Sequence, residues 1–186
     1  MLSVRQTDLD GVLQAWPRWL GDARGAFAEV YNAARFAGHG IDAAFVQDNH
    51  SVSRQTGTVR GLHFQRPPYA QAKLVRAVAG RAYDVAVDLR AGSPTYGRHT
   101  AVTLDAAEGN QLYIPVGFAH GFCTLTPETE IVYKVSASYA PEHDAGVRWD
   151  DPDIAVAWPV DAGAAVLSDK DRALPALADI DPPFVP

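Results

Sequence analysis

The chain has 186 residues, of which 47% are hydrophobic, and this is enough for one domain with a substantial core. The net charge is −6 and no block of Lys or Arg occurs, so a nucleic-acid-binding surface is not expected. No apolar run reaches the length of about 18 residues that predicts a membrane span, and the first residues lack the pattern of a signal peptide. The single cysteine, Cys123, excludes an internal disulfide and fits a cytoplasmic location.

The predicted secondary structure is mostly β. Residues 1–25 are expected to form short strands and turns, and the segment AFAEVYNAARFAGHG (26–40) is the best candidate for a helix, ending at Gly38 or Gly40. About eight short segments rich in β-branched and aromatic residues follow, each bounded by Gly, Pro, Asn or Asp. They are AAFVQDNHSVS, TVRGLHF, AKLVRAVAG, RAYDVAVDL, RHTAVTL, QLYIPVG, HGFCTLT and EIVYKVSASY. Such a series of strands predicts a β-sandwich or barrel.

Two further patterns complete the coarse reading of the chain. In YDVAVDL (83–89) the odd-numbered residues would face one side of a sheet and the even-numbered residues the other. The tail from Trp149 onward is rich in Pro and Asp, which favours loops with short helical turns. No internal repeat, linker or low-complexity segment is found, so residues 1–186 are expected to form a single domain.

A metal site is not predicted. Barrels that bind a metal commonly use a His-x-His pair on one strand with a downstream acid and another His, but the residues two positions from His63 are Gly61 and Gln65. His120 could be a second ligand, yet two histidines without a suitably spaced carboxylate make a poor site. Cys123 lies in an apolar strand, where most cysteines are core residues rather than nucleophiles.

Acid–base chemistry is the remaining possibility. Histidine is the residue type most often used as a general acid or base, which makes His63 a candidate. Tyr133 shares a strand face with apolar neighbours, so it is either a proton donor or a core tyrosine whose hydroxyl has found a partner. Lys73 is one of only three lysines beside thirteen arginines, and a lysine, unlike an arginine, has a pKa that can be tuned; the alternative is that Lys73 is an exposed strand lysine. Asp169 and Asp171 in LSDKDR could each orient an imidazole, or belong to a solvated turn.

Eight sequence blocks carry a resemblance that decides among these alternatives. They are FVQDNHSVS, RGLHFQ, AKLV, DVAVDLRAGSPTYG, YIPVGFAHGF, VYK, RWDDPDIAVAWP and LSDKD, in this order, between about residues 20 and 171. Together they resemble the dTDP-4-dehydrorhamnose 3,5-epimerase family. The resemblance implies a mainly β, cupin-like jelly-roll barrel with a few short helices, its core at about 40–140 and the N- and C-terminal arms packed on it. It also implies a homodimer that needs no metal and no other cofactor.

The resemblance also implies roles for individual residues. His63 would be the base, Asp171 the acid that orients it, and Tyr133 the acid that returns a proton from the opposite face. Lys73 would stabilise the enolate formed from the substrate, a dTDP-4-keto-6-deoxy-D-glucose. The residues implied in substrate binding are Arg24, Glu29, Gln47, Asn49, Arg60 and His120, of which the first two would come from a neighbouring subunit.

The type of epimerisation stays open at this point. The keto group acidifies the protons on carbons 3 and 5, and relatives invert both carbons, carbon 3 only, or carbon 5 only, in rhamnose or antibiotic-sugar pathways. A catalytically silent nucleotide-sugar-binding barrel is the alternative from another class, although a binding module needs neither an acid nor a base. Strict alternation would put Arg60 and His63 on opposite strand faces, unless Gly61 forms a bulge.

Overall fold

The computed structural model describes residues 2–185, so Met1 and Pro186, the ends of the predicted 1–186 domain, lie outside the described residues. The strands are β1 (Ser3–Gln6), β2 (Leu13–Trp16), β3 (Leu20–Asp22), β4 (Gly25–Phe27), β5 (Gln47–Ser53), β6 (Val59–Gln65), β7 (Lys73–Ala79), β8 (Arg81–Asp88), β9 (His99–Asp105), β10 (Gln111–Ile114), β11 (Phe118–Thr124), β12 (Thr129–Val135) and β13 (Asp144–Gly146). The helices are α1 (Ala33–Ala37) and α2 (Asp169–Arg172), with 3₁₀ turns at Pro141–His143 and Leu177–Asp179.

The strands form two packed sheets and one separate hairpin. The six-stranded sheet has the order β1-β2-β10-β7-β12-β5, the five-stranded sheet has the order β13-β6-β11-β8-β9, and β3 pairs only with β4. Neighbouring strands run antiparallel throughout. The eight predicted strand segments correspond to β5 through β12. The prediction of a mainly β jelly-roll barrel with a few short helices is therefore confirmed.

The space between the two sheets holds the central core. Val75 and Ile131 of the six-stranded sheet pack there with Leu104, Phe118 and other residues of the five-stranded sheet. The predicted alternation in β8 is also confirmed: Ala82 and Ala86 face this core, whereas Val85 and Val87 face away from it. Burial of both faces explains why β8 is so apolar.

The segments before and after the strands cover the outer faces. Phe36 of α1 and Ile41, which follows the helix, pack on the outer side of the six-stranded sheet. Val147, Ile154 and Phe184 pack on the outer side of the five-stranded sheet, against β6 and β8. The tail is loop with short helical turns, as predicted.

The predicted helix over 26–40 is wrong for most of its length. Only Ala33–Ala37 are helical, with Gly38 as the C-cap, so the predicted end is right. The start is set by Asn32, whose side chain accepts a hydrogen bond from the Arg35 N–H and so caps the helix. Residues before this cap belong to β4 and to an extended connection.

A bulge in β6 changes which face its residues point to. His63 lies opposite His120 of β11, and Arg60 lies opposite Phe122, so three steps along β6 match two along β11. Gly61 has a φ of +122°, and a Cβ there would lie 2.6 Å from the Gly121 Cα. The suggested bulge at Gly61 is therefore confirmed, and Arg60 and His63 can share one face.

Across residues 2–185, neither helix has the length and apolar character that crossing a membrane requires.

Candidate active site

One cavity of about 370 Å³ opens between the two sheets, a volume in the range of small-molecule sites. The side chains that line it belong to both sheets and to the C-terminal segment. The six-stranded sheet contributes Gln47, Asn49, Ser51, Lys73 and Tyr133; the five-stranded sheet contributes Arg60, His63, Gln65, His120 and Asp144; the C-terminal segment contributes Ser168, Lys170 and Asp171. All four predicted catalytic residues and four of the six predicted substrate-binding residues thus lie around one cavity.

His63 forms an imidazole–carboxylate pair with Asp171. The His63 Nε2 lies 2.5 Å from the Asp171 Oδ1, and the Asp171 side chain is almost completely buried. Burial opposes ionisation of this carboxyl, but the His63 hydrogen bond and the nearby positive charges lower the pKa of Asp171 below its usual value. The ionised carboxylate holds the proton on Nε2, which leaves Nδ1 free to accept one. Asp169 is exposed on the first turn of α2, so Asp171 is the partner.

The α2 turn determines where this carboxylate lies. The Ser168 side chain caps α2 by accepting a hydrogen bond from the Asp171 N–H at 3.1 Å. This cap fixes the backbone of Asp171 while its side chain points toward β6, which explains how a residue 108 positions away in sequence meets His63.

Lys73 is a buried ammonium at the start of β7. Only 8% of the residue is exposed, and its Nζ lies 3.4 Å from the His63 carbonyl oxygen. Burial lowers the pKa of Lys73 to about 8, and the negative charges of Asp84 and Asp144 limit this fall. A cation that is desolvated but still charged at neutral pH can stabilise an oxyanion strongly.

Tyr133 approaches the cavity from the sheet opposite His63. It lies on β12, and its ring centroid is 6.5 Å from that of His120. Burial raises the pKa of the Tyr133 hydroxyl, although the charge of Arg60 partly opposes this. The hydroxyl is therefore protonated at neutral pH and can serve as a proton donor.

His120 forms a second imidazole–carboxylate pair, with Asp84 of β8. The His120 Nε2 lies 2.8 Å from the Asp84 Oδ1, and both side chains are buried. Burial lowers the pKa of His120, against the effect of Asp84, so the ring is neutral at pH 7. Asp84 was not predicted from the sequence. Its place on the same face of β8 as Ala82 and Ala86, which face the core, was the pattern that could have identified it.

Polar side chains of β5 and β6, from the two facing sheets, also line the cavity. The Gln47 amide donates to the Asn49 Oδ1 at 2.8 Å, and its own carbonyl oxygen accepts from the Tyr139 N–H at 3.0 Å. Arg60 reaches across from the five-stranded sheet and donates through Nε to the Ser53 Oγ at 3.2 Å. A guanidinium beside two amides suits an anionic, hydroxyl-rich ligand.

A polar cluster at the mouth was not predicted from the sequence. The Tyr139 hydroxyl donates to the Asp144 Oδ2 at 3.0 Å, and the same oxygen forms an ion pair with the Lys170 ammonium. Tyr139 is 55% exposed, which is unusual for an aromatic side chain beside a cavity. The sequence signal was weak, because these residues come from a loop, a three-residue strand and a short helix.

Arg24 and Glu29 are not among the residues that line the cavity. Arg24 lies in the turn of the β3–β4 hairpin, where its 90% exposed side chain pairs with Asp22. Glu29 pairs with Arg35 on the outer side of the six-stranded sheet. Their predicted part in binding thus depends on the second subunit that the resemblance implies.

The possible metal ligands and the single cysteine were the other candidates for chemistry. Within residues 2–185 there is no group of three or more His, Cys, Asp or Glu side chains that could hold a metal ion. The carboxylates near His63 and His120 each bind one imidazole. Cys123 is buried, and burial raises the pKa of its thiol to about 11, so it behaves as a core residue.

Comparisons with known proteins agree with this geometry. The profile of the dTDP-4-dehydrorhamnose 3,5-epimerase family matches residues 6–179. A protein of that name from Sinorhizobium fredii is 51% identical over 168 residues, which cover 90% of this chain and 86% of the relative. The crystal structure of the Bacillus anthracis dTDP-4-dehydrorhamnose 3,5-epimerase, with TDP and pyrophosphate bound, is 47% identical, has a TM-score of 0.92, and covers 95% of this chain and 100% of its own.

Other solved structures extend the comparison to further epimerases. The Legionella pneumophila dTDP-6-deoxy-D-glucose-3,5-epimerase in complex with dTDP-4-keto-L-rhamnose is 41% identical, with a TM-score of 0.92 and coverage of 97% of this chain and 95% of its own. NovW, a 4-keto-6-deoxy sugar epimerase of novobiocin biosynthesis from Streptomyces spheroides, is 38% identical, with a TM-score of 0.90 and coverage of 96% and 89%. ChmJ, a 3'-monoepimerase from Streptomyces bikiniensis, is 37% identical, with a TM-score of 0.85 and coverage of 92% and 86%. The chain is an isomerase that belongs to the dTDP-4-dehydrorhamnose 3,5-epimerase family.

Proposed function

We propose that the protein epimerises dTDP-4-keto-6-deoxy-D-glucose at both carbon 3 and carbon 5, with His63 as the base and Tyr133 as the acid. The observation that carries this proposal is the presence of the two groups on opposite sheets around one cavity. Inversion requires a proton to leave from one face of the sugar and return to the other. A base and an acid on facing walls meet this requirement.

Each half of the reaction follows from the groups present. His63 Nδ1 takes the proton from the carbon beside the keto group, and the electrons of the C–H bond form the enolate double bond as the keto oxygen becomes negative. The Lys73 ammonium stabilises that oxyanion. Tyr133 then gives its hydroxyl proton to the carbon from the opposite face, and the positively charged imidazole is held by Asp171 until solvent restores both groups.

Similarity to the relatives supports action at both carbons. The relatives named as 3,5-epimerases are 40–51% identical to the chain in the sequence comparison and 34–47% identical among the solved structures, whereas the two structures of the 3'-monoepimerase are 34% and 37% identical; the ranges overlap, and the highest identities belong to 3,5-epimerases. The alternative is inversion of one carbon in an antibiotic-sugar pathway. The 38% identity to NovW supports this alternative, and deuterium exchange in heavy water distinguishes it from inversion of both carbons.

We further propose a homodimer in which Arg24 and Glu29 complete the partner's site. Support comes from the β3–β4 hairpin, whose strand residues are all exposed and which carries Phe27 at 70% exposure. An exposed aromatic side chain next to an arginine with no role in its own cavity suits a contact with a second copy. Arg24 would then bind the diphosphate through its guanidinium.

Mixing two defective variants tests the shared site. If Arg24 acts across the interface, a heterodimer of His63→Ala and Arg24→Ala chains contains one intact site. At a substrate concentration well below the KM of Arg24→Ala, random re-association should therefore restore about one quarter of wild-type activity from two preparations that are poorly active alone. No recovery, in a mixture shown by mass spectrometry to contain heterodimers, would mean that Arg24 does not serve the partner's cavity.

The reaction itself is tested in heavy water. The wild-type protein is incubated with dTDP-4-keto-6-deoxy-D-glucose in D₂O, and NMR locates the deuterium and the configuration of each carbon. We expect deuterium at carbons 3 and 5 with both inverted. Deuterium at a single carbon would indicate a monoepimerase, and binding of dTDP without any exchange would indicate a silent binding barrel.

A further inference from the structure

Gln65 is a buried side chain at the cavity that the mechanism above does not use. It lies two residues after His63 on β6, and only 3% of the residue is exposed. Its amide nitrogen donates to the Tyr69 carbonyl oxygen at 2.7 Å and to the Ser138 carbonyl oxygen at 3.2 Å. Its own carbonyl oxygen accepts from the Ala140 N–H at 2.8 Å. Both ends of the amide group thus bind backbone atoms.

Most of these backbone atoms belong to residues 136–140, a segment after β12 that we call the mouth loop. The mouth loop carries Tyr139, whose side chain is part of the polar cluster at the cavity mouth. Two other glutamines also bind this loop: Gln71 donates to one of its carbonyl oxygens at 2.8 Å, and Gln47 accepts from the Tyr139 N–H at 3.0 Å. Gln65 binds the residues immediately before and after Tyr139, and so fixes the backbone on both sides of this side chain.

The mouth loop depends on these side-chain amides because it leaves the sheet at its first residue. The Ser136 N–H still donates to the Ala72 carbonyl oxygen at 3.0 Å, next to the strand pairing of β12 with β7. From the next residue onward, the hydrogen bonds that join the loop to the barrel come from glutamine side chains. A backbone group that loses its partner in a buried place must find another or become hydrated. Loss of the Gln65 amide should therefore release the loop.

We propose that Gln65 is a positioning residue that holds Tyr139 at the cavity mouth, so that the tyrosine ring contacts the nucleotide end of the bound ligand. The role rests on the proposed function, which places the reacting sugar inside the cavity beside His63 and Lys73 and leaves the nucleotide toward the mouth. The Tyr139 side chain is 55% exposed there, and its hydroxyl is held by Asp144 at 3.0 Å. A ring that is already in place adds contact area on binding without a further ordering cost.

The size of the effect follows from how often the loop is in place. A ligand that needs one position of Tyr139 binds with an apparent Kd equal to the intrinsic Kd divided by the fraction of molecules in that position. If loss of the Gln65 hydrogen bonds leaves the loop in place about one tenth of the time, the Kd rises about tenfold. Proton transfer in the bound complex should change little, because His63 is oriented by Asp171 at 2.5 Å and not by Gln65.

Gln65→Met tests the role, since it keeps the length of the side chain and removes its hydrogen bonds. Calorimetry should give a Kd for dTDP about tenfold above the wild-type value. Steady-state kinetics should show KM raised by a similar factor and kcat within about twofold of wild type. A kcat that falls as much as kcat/KM, with dTDP binding unchanged, would mean that Gln65 supports the strand of His63 instead, and would overturn the proposal.

A double-mutant cycle with Tyr139 shows whether the effect passes through this ring. Tyr139→Ala alone should weaken dTDP binding, and adding Gln65→Met to it should change the Kd by less than about twofold. A full tenfold loss from Gln65→Met in the Tyr139→Ala background, or an unchanged Kd in Tyr139→Ala itself, would overturn the proposal. Binding of dTDP does not require epimerisation, so a wild-type protein that binds dTDP without any deuterium exchange would contradict the proposed function and not the role of Gln65.

Asn110→Leu is the matched control. Asn110 is 1% exposed in the turn before β10, where its side chain donates to the Thr103 carbonyl oxygen at 2.8 Å and accepts from the Asp105 N–H at 2.9 Å. It is not among the residues that line the cavity. Both variants lose a buried amide that binds backbone, so both should have a lower Tm, but only Gln65→Met should weaken dTDP binding. An equal loss of affinity in Asn110→Leu would assign the effect to general loosening of the fold.

Hydrogen exchange on the wild-type protein applies if Gln65→Met does not fold. The Ala140 N–H should exchange slowly, because its acceptor is buried, and bound dTDP should slow it by a larger factor than it slows the amides of β9, which lie outside the cavity. In Tyr139→Ala the two factors should be equal. An Ala140 amide that exchanges like an unprotected one, or equal factors in the wild-type protein, would overturn the proposal.

Discussion

Replacing Gly61 with alanine tests whether the bulge in β6 builds the site. An added Cβ would lie 2.6 Å from the Gly121 Cα and 2.7 Å from the His120 carbonyl oxygen, and these are backbone atoms that cannot rotate away. Overpacking of this kind costs about 1–3 kcal/mol, and a side chain at a φ of +122° adds about 1–3 kcal/mol of backbone strain. We therefore expect the free energy of unfolding to fall by about 2–6 kcal/mol, which corresponds to a loss in Tm of roughly 5–20 °C.

Gly163→Ala is the matched control, because a Cβ at Gly163 meets nothing within 4 Å. Thermal unfolding followed by circular dichroism compares the two variants with the wild type. The Gly61 variant should also lose activity beyond its loss of folded protein, since a shift at the bulge moves Arg60 and His63 relative to each other. A Gly61→Ala protein with wild-type Tm and activity, or a Gly163→Ala protein that is equally damaged, would refute this account of the strand.

Four further predictions follow from the site. Tyr133→Phe should lower the rate of inversion by about two to four orders of magnitude, while deuterium from D₂O still enters the sugar with retention of configuration. NMR of a single reaction mixture measures both the exchange and the inversion. Inversion at the wild-type rate would remove Tyr133 from the mechanism. Arg24→Ala should raise KM more than it lowers kcat in steady-state kinetics, because diphosphate binding is largely uniform between ground and transition states. Burial opposes ionisation of Asp171, but the His63 hydrogen bond and nearby cations lower its pKa below the usual value. The carboxylate therefore stabilises the fold at a pH above its unfolded pKa, and this stabilisation is lost as the pH falls through the lowered pKa. The Tm of Asp171→Asn should accordingly depend less on pH than the wild-type Tm does between about pH 5 and 3. Cys123, whose thiol pKa is raised to about 11 by burial, should react with a thiol reagent at pH 8 only after unfolding.

Local patterns in the sequence predicted the strands well because each strand carries its own period. The alternation from Tyr83 to Leu89 follows from the geometry of a single strand and needs no knowledge of its neighbours. The helix over 26–40 failed for a related reason. Its apolar spacing resembled a helix, but the Asn32 cap and the pairing of Gly25–Phe27 with β3 compete with that pattern and shorten the helix to five residues.

Long-range pairs in the site could not be derived from sequence patterns alone. His63 meets Asp171 across 108 positions and His120 meets Asp84 across 36, and such pairs are set by how strands are ordered in the sheets. The resemblance supplied Asp171 but not Asp84. The mouth residues Tyr139, Asp144 and Lys170 were missed because a loop, a three-residue strand and a four-residue helix are too short to show a period.

The central claim, that His63 is the base, is tested most directly by one measurement on His63→Ala. The variant is incubated with dTDP-4-keto-6-deoxy-D-glucose in D₂O, and deuterium at carbon 3 is followed by NMR while calorimetry measures the binding of dTDP. We predict that exchange at carbon 3 is abolished and that dTDP binding survives, because Arg60, Gln47 and Asn49 remain in the cavity. Exchange at the wild-type rate in this variant would contradict the account.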